Sequence, residues 1–302
     1  MDWFWLSIIS AFLVAVKVGV RKKALTFYSD KGLNFTVGFL SFIFAGIMLA
    51  GVYYFRHGLL LWPTELSFQE YWKPMFVHVV LEVIAVAALH KATILDDVNY
   101  ITPHLSLTLI PMMFLAWWLR GEAPNVSGVI GIVLICLGVI VINYRSKTEA
   151  GIPRNRKKAL GLIIITVVCW SFTPIFRKQA IMATSPEFVA WTLHAMIGAA
   201  FLIPMFLLRE RGQILAMVEA KKIPIFLGMM FIMAAITGAS NQLAYISLGQ
   251  ANIASAMAVK ETAPVFVFLI GYFFFLERGQ IARKALATIM VIFGAVMVAS
   301  NR

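Results

Sequence analysis

Apolar residues along this chain come in unbroken runs of about twenty, separated by short polar stretches. Ten runs occupy residues 3–20, 33–55, 74–91, 98–119, 126–143, 160–180, 185–208, 222–246, 251–276 and 281–300. About twenty apolar residues is the length an α-helix needs to cross the hydrocarbon of a bilayer. Backbone groups in hydrocarbon must be satisfied within their own segment, so each run predicts a helix and not an open sheet. A transmembrane barrel strand would alternate apolar and polar positions. The run GVIGIVLICLGVIVI at 128–142 does not alternate. The pattern therefore predicts an all-α integral membrane protein with ten transmembrane helices.

Composition agrees with that class. Hydrophobic residues make up 61% of the chain and charged residues 13%, against about 45–50% and about 25% in soluble domains. Mean hydropathy is +0.86. The two cysteines, Cys136 and Cys169, fall inside apolar runs and read as small buried hydrophobes. No Cys/His spacing suggests a metal, and none of the motifs that hold a cofactor is present.

Net charge is +12, and its placement gives it meaning. Connections after the odd-numbered runs carry 18 Lys and Arg; the remaining connections and both termini carry 6, Arg177 and Lys178 among them. Lys17 and Lys260 lie inside runs. Basic residues accumulate on the cytoplasmic side, so the odd-numbered connections are expected in the cytoplasm and both termini outside. The first run has only Met1 and Asp2 before it and Arg21, Lys22 and Lys23 after it. That is the reverse of a cleaved signal peptide and predicts a retained helix. The charge orients the chain and is no footprint for nucleic acid, because no folded basic domain exists to hold it.

The two halves repeat. Arg21-Lys-Lys-Ala-Leu25 closes the first run and Arg177-Lys-Gln-Ala-Ile181 the sixth, 156 residues later. Pro111 matches Pro264 at an offset of 153, Glu122 matches Glu277 at 155, and Gly138 matches Gly294 at 156. Near-constant offsets mark an internal repeat. Five runs per copy is an odd number, so the second copy enters the membrane in the opposite sense, an arrangement typical of secondary transporters. The expected organisation is two inverted five-helix repeats, residues 1–147 and 159–302, joined by a basic cytoplasmic linker at 148–158.

At these residues the chain resembles the drug/metabolite transporter superfamily, in particular its EamA-type ten-helix members. The resemblance is carried by PVFVFLIGYFFFLERGQIARKALATIMVIFGAVMVAS (264–299) and by PMMFLAWWLRGEAPNVSGVIGIVLICLGVIVIN (111–143). Proline and glutamate are 11 residues apart in the first half and 13 in the second. The resemblance implies a bacterial cytoplasmic (inner) membrane, alternating access, and export of a small metabolite. It also implies that the first, third, fourth, sixth, eighth and ninth runs surround a cavity. On that ground Trp170, Ser171 and Thr173, then His104, Ser106 and Thr108, then Asn241, Gln242 and Tyr245 become cavity candidates. Each is weighed against service as interhelical glue.

Ionisable groups in hydrocarbon are costly, so those present usually face a cavity or a partner. Glu82 lies mid-run in HVVLEVIAVA; Lys260 and Glu261 lie in AMAVKETAPVF. Glu82 and Lys260 sit at nearly equal depth, about 12–14 Å from one face at 1.5 Å per residue. They are expected to flank the cavity as a mutual ion pair or as opposite poles suited to a zwitterionic amino acid; the alternatives are a fixed structural pair or two unrelated groups that snorkel or meet water. His78 lies one turn before Glu82, and the two read as a proton relay or, better, as a histidine bonded to a neighbouring helix. Lys17 reads as a side chain reaching the cytoplasmic interface. Pro111 and Pro264 are hinge candidates, with static bends as the alternative. Gly128, Gly131 and Gly138 predict a close helix seam first and a dimer face second. Glu122 and Glu277 read as end caps or interface gates.

The expected function is a secondary transporter of a small polar metabolite, an amino acid or related compound. The alternative is a lipid-linked substrate flippase of the same fold, and a channel is a third reading. Partners are then a small-molecule substrate and the lipid bilayer, with proton or ion coupling and a monomer or homodimer left open. An enzyme is disfavoured. Asp96-Asp97 has no second acidic cluster to complete a metal-phosphate site, and HExxH, GxSxG and phosphate-binding glycine loops are missing.

Overall fold

The apolar runs fold into helices nearly where the pattern puts them. The computed structural model describes residues 2–25, 30–58, 66–95, 101, 104–143, 155–207, 223–274 and 280–300. Asp96, Asp97, Pro103, Glu277 and linker residues 148–154 lie outside the described residues, as do the side chains of Arg21, Lys22 and Lys23. The helices are α1 (Trp3–Leu25), α2 (Asp30–His57), α3 (Lys73–Leu95), α4 (Leu109–Arg120), α5 (Val126–Asn143), α6 (Arg156–Ala183), α7 (Pro186–Leu207), α8 (Ile223–Gln250), α9 (Ile253–Lys260), α10 (Ala263–Phe274) and α11 (Ile281–Ala299). No strand occurs among the described residues. A π-helical turn, Phe68–Trp72, leads into α3, and a 3₁₀ turn, Ser106–Thr108, leads into α4.

Large apolar side chains cover the outside. Phe55, Phe274, Trp118 and Val126 are each more than three-quarters exposed. A surface of that kind needs hydrocarbon against it. Six stretches among the described residues are long and apolar enough to cross a membrane: Trp3–Val20, Phe68–Leu89, Arg156–Ala183, Phe231–Gln250, Ile253–Phe274 and Ile281–Ala299. Phe42–His57, Ser106–Arg120 and Val126–Ile142 are shorter apolar helices.

Packing is strongest between α5 and α11, α3 and α6, α1 and α8, and α2 and α7. In hydrocarbon there is no hydrophobic force between helices, so close approach and interhelical hydrogen bonds do the joining. Along α5 the glycines supply the approach. A Cβ on Gly131 would stand 2.6 Å from the carbonyl oxygen of Gly294, and one on Gly138 would stand 2.9 Å from that of Ala287. The glycine seam of α5 is thus covered by α11 of the same chain. Between α1 and α8 the joints are polar. Ser10 Oγ donates to Ser240 O at 2.9 Å, and Ser7 and Ser247 share a 2.6 Å hydroxyl contact. Between α3 and α6, Thr166 Oγ1 donates to Ala85 O at 3.2 Å.

Three prolines shape the spans. The ninth run is two helices, α9 and α10, separated at Glu261-Thr262. Pro264 has no N–H for the Lys260 carbonyl, and its ring crowds that carbonyl, so the helix stops at Lys260 and restarts at Ala263. Thr262 Oγ1 closes the gap on Val259 O at 2.7 Å. Pro111 follows the 3₁₀ turn in the same way, with Thr108 Oγ1 on Leu105 O at 2.6 Å. Pro174 lies inside α6 without interrupting it; the Trp170 carbonyl it deprives is taken by Thr173 Oγ1 at 3.2 Å.

Candidate functional site

A cavity of about 410 Å³ is lined chiefly by α1, α3, α4, α6, α8 and α9, with single residues from α2, α5, α7 and α10. Nine of the sequence candidates for the cavity line it: Glu82, Lys260, His78, Ser106, Thr108, Trp170, Thr173, Asn241 and Tyr245. His104 and Gln242 are not on its wall. Ser171 is also absent from the wall; its hydroxyl donates to Val167 O and Thr108 O and ties α6 to the start of α4. Pro264 is on the wall, and Pro111 is not.

Three charged residues join the wall that sequence reasoning had placed elsewhere or left unused. Lys17, read as reaching the cytoplasmic interface, lines the cavity. Arg177, read as a connection residue, is part of α6, which runs on to Ala183. The apolar AIMA at 180–183 was the available signal that the helix continues past Arg177. Glu261 lies at the α9–α10 break, beside Lys260.

The geometry of His78 fixes its role. Its Nδ1 stands 2.9 Å from the Thr173 carbonyl oxygen, which only accepts, so Nδ1 carries the proton. Nε2 is then an acceptor, and Arg177 Nη2 donates to it at 3.4 Å. Both ring nitrogens bond to α6, as in the interhelical of the two sequence readings. His194 repeats the arrangement. Its Nδ1 donates to Ala190 O at 2.6 Å, and Asn241 Nδ2 donates to its Nε2 at 3.0 Å. Asn241 is left with its carbonyl oxygen and one N–H for the cavity.

Glu82 and Lys260 face the same cavity, but no ion pair joins them among the described residues. Their charges still act on each other, and Arg177 acts on both. Trp170 stands on the same wall as Glu82. The Arg177 guanidinium sits over the Tyr245 ring, 4.7 Å from its centroid, close enough for a cation–π contact. The wall thus offers separated charges of both signs, two aromatic faces and an oriented amide. Such a wall can hold a small polar molecule by its charged ends.

At the next residue of α6, a second polar cluster closes on itself. Lys178 Nζ donates to Glu122 Oε1 at 2.7 Å and to Ala251 O at 2.8 Å. Glu122 Oε2 accepts the Ile253 N–H at 2.8 Å, capping α9. The two side chains are 14% and 11% exposed, so this is a nearly buried pair with its hydrogen bonds met. Glu122 is an end cap, as the sequence suggested, but for a helix in the other half of the chain.

Comparisons with known proteins bear on the whole. No curated protein matches the chain. A crystal structure of another protein superposes with a TM-score of 0.74 at 14% identity, covering 99% of this chain and 95% of that one, which shows a shared fold. Residues 157–300 match the model of the EamA-like transporter family. That match covers just under half of the chain, whose second half is thus similar to the EamA-like transporter family; with its lipid-facing helices, the chain is an integral membrane protein.

Proposed function

We propose that the protein is a secondary carrier that exports a small polar metabolite, an amino acid or related compound, across a bacterial cytoplasmic membrane by alternating access. The observation that carries this reading is the cavity itself. Glu82, Lys260 and Arg177 stand on its wall as charges of both signs that no ion pair joins among the described residues, which is an arrangement a zwitterion completes.

The carrier is taken to have ten spans in two inverted five-span copies, with both termini outside. Several matched contacts support the copies. Ser10 on Ser240 and Thr166 on Ala85 are related by shifts of 156 and 155 residues. Gly131 against Gly294 and Ala287 against Gly138 are images under a shift of 156. The α1–α8 and α3–α6 pairs are images under a shift of five spans. The helix interruptions before Pro111 and Pro264 fall at matching places and give the fourth and ninth spans points at which to bend.

The test is a thermal-shift screen of purified protein against metabolites, because a ligand of the folded state raises its melting temperature by mass action. Compounds that shift melting are then followed by counterflow in liposomes. Saturable counterflow without conductance supports a carrier. Conductance without saturation makes the protein a channel, and transfer of a fluorescent lipid between leaflets makes it a flippase.

A further inference from the structure

The cavity wall carries three cations, Lys17, Arg177 and Lys260, against two carboxylates, Glu82 and Glu261. His78 and His194 add no charge, since each spends one nitrogen as donor and the other as acceptor. Arg177 is the one guanidinium among these cations. Among the described residues it makes no ion pair. Its hydrogen bonding is a single 3.4 Å contact to His78, and its Nε is buried with no hydrogen-bond partner. An arginine presents five N–H donors in a planar fork, so most of this fork is unused.

The fork is nonetheless held in place. His78 Nε2 takes one N–H, and the Tyr245 ring supports the guanidinium from one face. His78 is in turn fixed by the Thr173 carbonyl, in the helix that carries Arg177. Leaving a buried charged donor unsatisfied is costly, so such a group calls for an explanation, and on a cavity wall a ligand supplies one. A guanidinium fork matches a carboxylate or a phosphate by paired N–H···O bonds. The single charge of Arg177, with no ion pair among the described residues, matches a carboxylate, whereas a phosphate monoester brings about −1.5 to −2.

We infer that Arg177 receives a carboxylate group of the transported molecule, so that the cargo belongs to the small organic carboxylates and Arg177, not Lys260, is its anionic anchor. This rests on the carrier reading above and narrows it. His78 acts as a positioning residue that holds the fork, and Glu82 with Trp170 remains free to take an ammonium group where the cargo has one.

The experiment uses the full-length protein in detergent. The twenty L-amino acids and the straight-chain dicarboxylates from oxalate to adipate are each titrated beside the corresponding carboxamide, with inorganic phosphate as a further arm. The expected result is that the compounds raising the melting temperature all carry a free carboxylate, and that their amides bind at least about ten-fold more weakly. Arg177→Gln abolishes the shift, and Arg177→Lys, which keeps the charge but not the fork, recovers part of it. Should Arg177→Gln not fold, Arg177→Lys carries the test, expected to weaken binding in a protein that still folds. The inference is overturned by amides that bind as well as acids, by phosphate as the tighter ligand, by an Arg177 variant of unchanged affinity, or by a panel in which no carboxylate binds. Counterflow separates this from the carrier reading. Counterflow of a compound with no carboxylate keeps the carrier and removes the Arg177 anchor. Carboxylate binding lost in Arg177→Gln, with no counterflow in the native protein, keeps the anchor and removes the carrier.

Discussion

Arg177 and Lys178 are neighbours in sequence and opposites in structure. Adjacent residues on a helix point about 100° apart, so one turns to the cavity and the other to the gap between α4 and α9. Lys178 meets a carboxylate and a carbonyl at hydrogen-bonding distance. Arg177 meets an aromatic face and one imidazole nitrogen. The first charge is consumed by the fold. The second is left over, and what the fold leaves over is available to a ligand. The same contrast separates Glu122, with both oxygens engaged, from Glu82, which has no ion pair among the described residues.

If that contrast is right, stability should follow the satisfied groups. Lys178→Met leaves Glu122 nearly buried without its counter-ion and should cost roughly 3–5 kcal/mol. Unfolding in detergent micelles by denaturant should show the loss, and Glu122→Gln combined with Lys178→Met should regain part of it. A single variant as stable as the native protein would remove the structural role of the pair. Next in size is the α5–α11 seam. Gly131→Ala puts a methyl against the Gly294 carbonyl and should cost about 1–3 kcal/mol. Gly238→Ala, whose new methyl would meet Leu49 Cγ at an ordinary 3.5 Å, should be nearly neutral in the same assay. Equal losses at both positions would mean the seam is looser than drawn.

Smaller effects are expected at the interhelical hydroxyls. Thr166→Val, which gives up the bonds to Ala85 O and Leu162 O, should lose about 0.5–1.5 kcal/mol. Ser10→Ala should lose a similar amount, measured by the same melts. The smallest effect on stability belongs to Arg177→Gln. Removing a charge that no carboxylate balances should leave the melting temperature unchanged or raise it, while ligand binding falls; binding sites commonly trade stability for function in this way. A large loss of stability in that variant would place Arg177 beside Lys178 as a structural residue.

Much of the fold was legible because hydropathy is a property of each residue alone. The run at 126–143 is α5 (Val126–Asn143), and the run at 281–300 is α11 (Ile281–Ala299). The split of the ninth run was written in Pro264, but a proline inside an apolar run equally allows a kink, as Pro174 within α6 shows. The cavity was half legible. Charges in hydrocarbon singled out Glu82 and Lys260, since such groups need a reason to be there. Arg177 escaped because it sits six residues before its helix ends, close enough to pass for a connection residue. Lys17 escaped because reach to the interface and presence in a cavity look the same in one dimension. The tautomer of His78 depends on a carbonyl 95 positions away, which no local pattern encodes.

The central claim is that this cavity is reached alternately from the two faces of the membrane. Met257 lines it, and Cys136 and Cys169 are both buried. The direct measurement places a single cysteine by Met257→Cys in a Cys136→Ser, Cys169→Ser background. Oriented vesicles are then exposed to a charged, membrane-impermeant thiol reagent from one face at a time. The account predicts reaction from either face, slowed from both by a compound that shifts melting. Reaction from one face alone, or from both with no protection by such a compound, would contradict it.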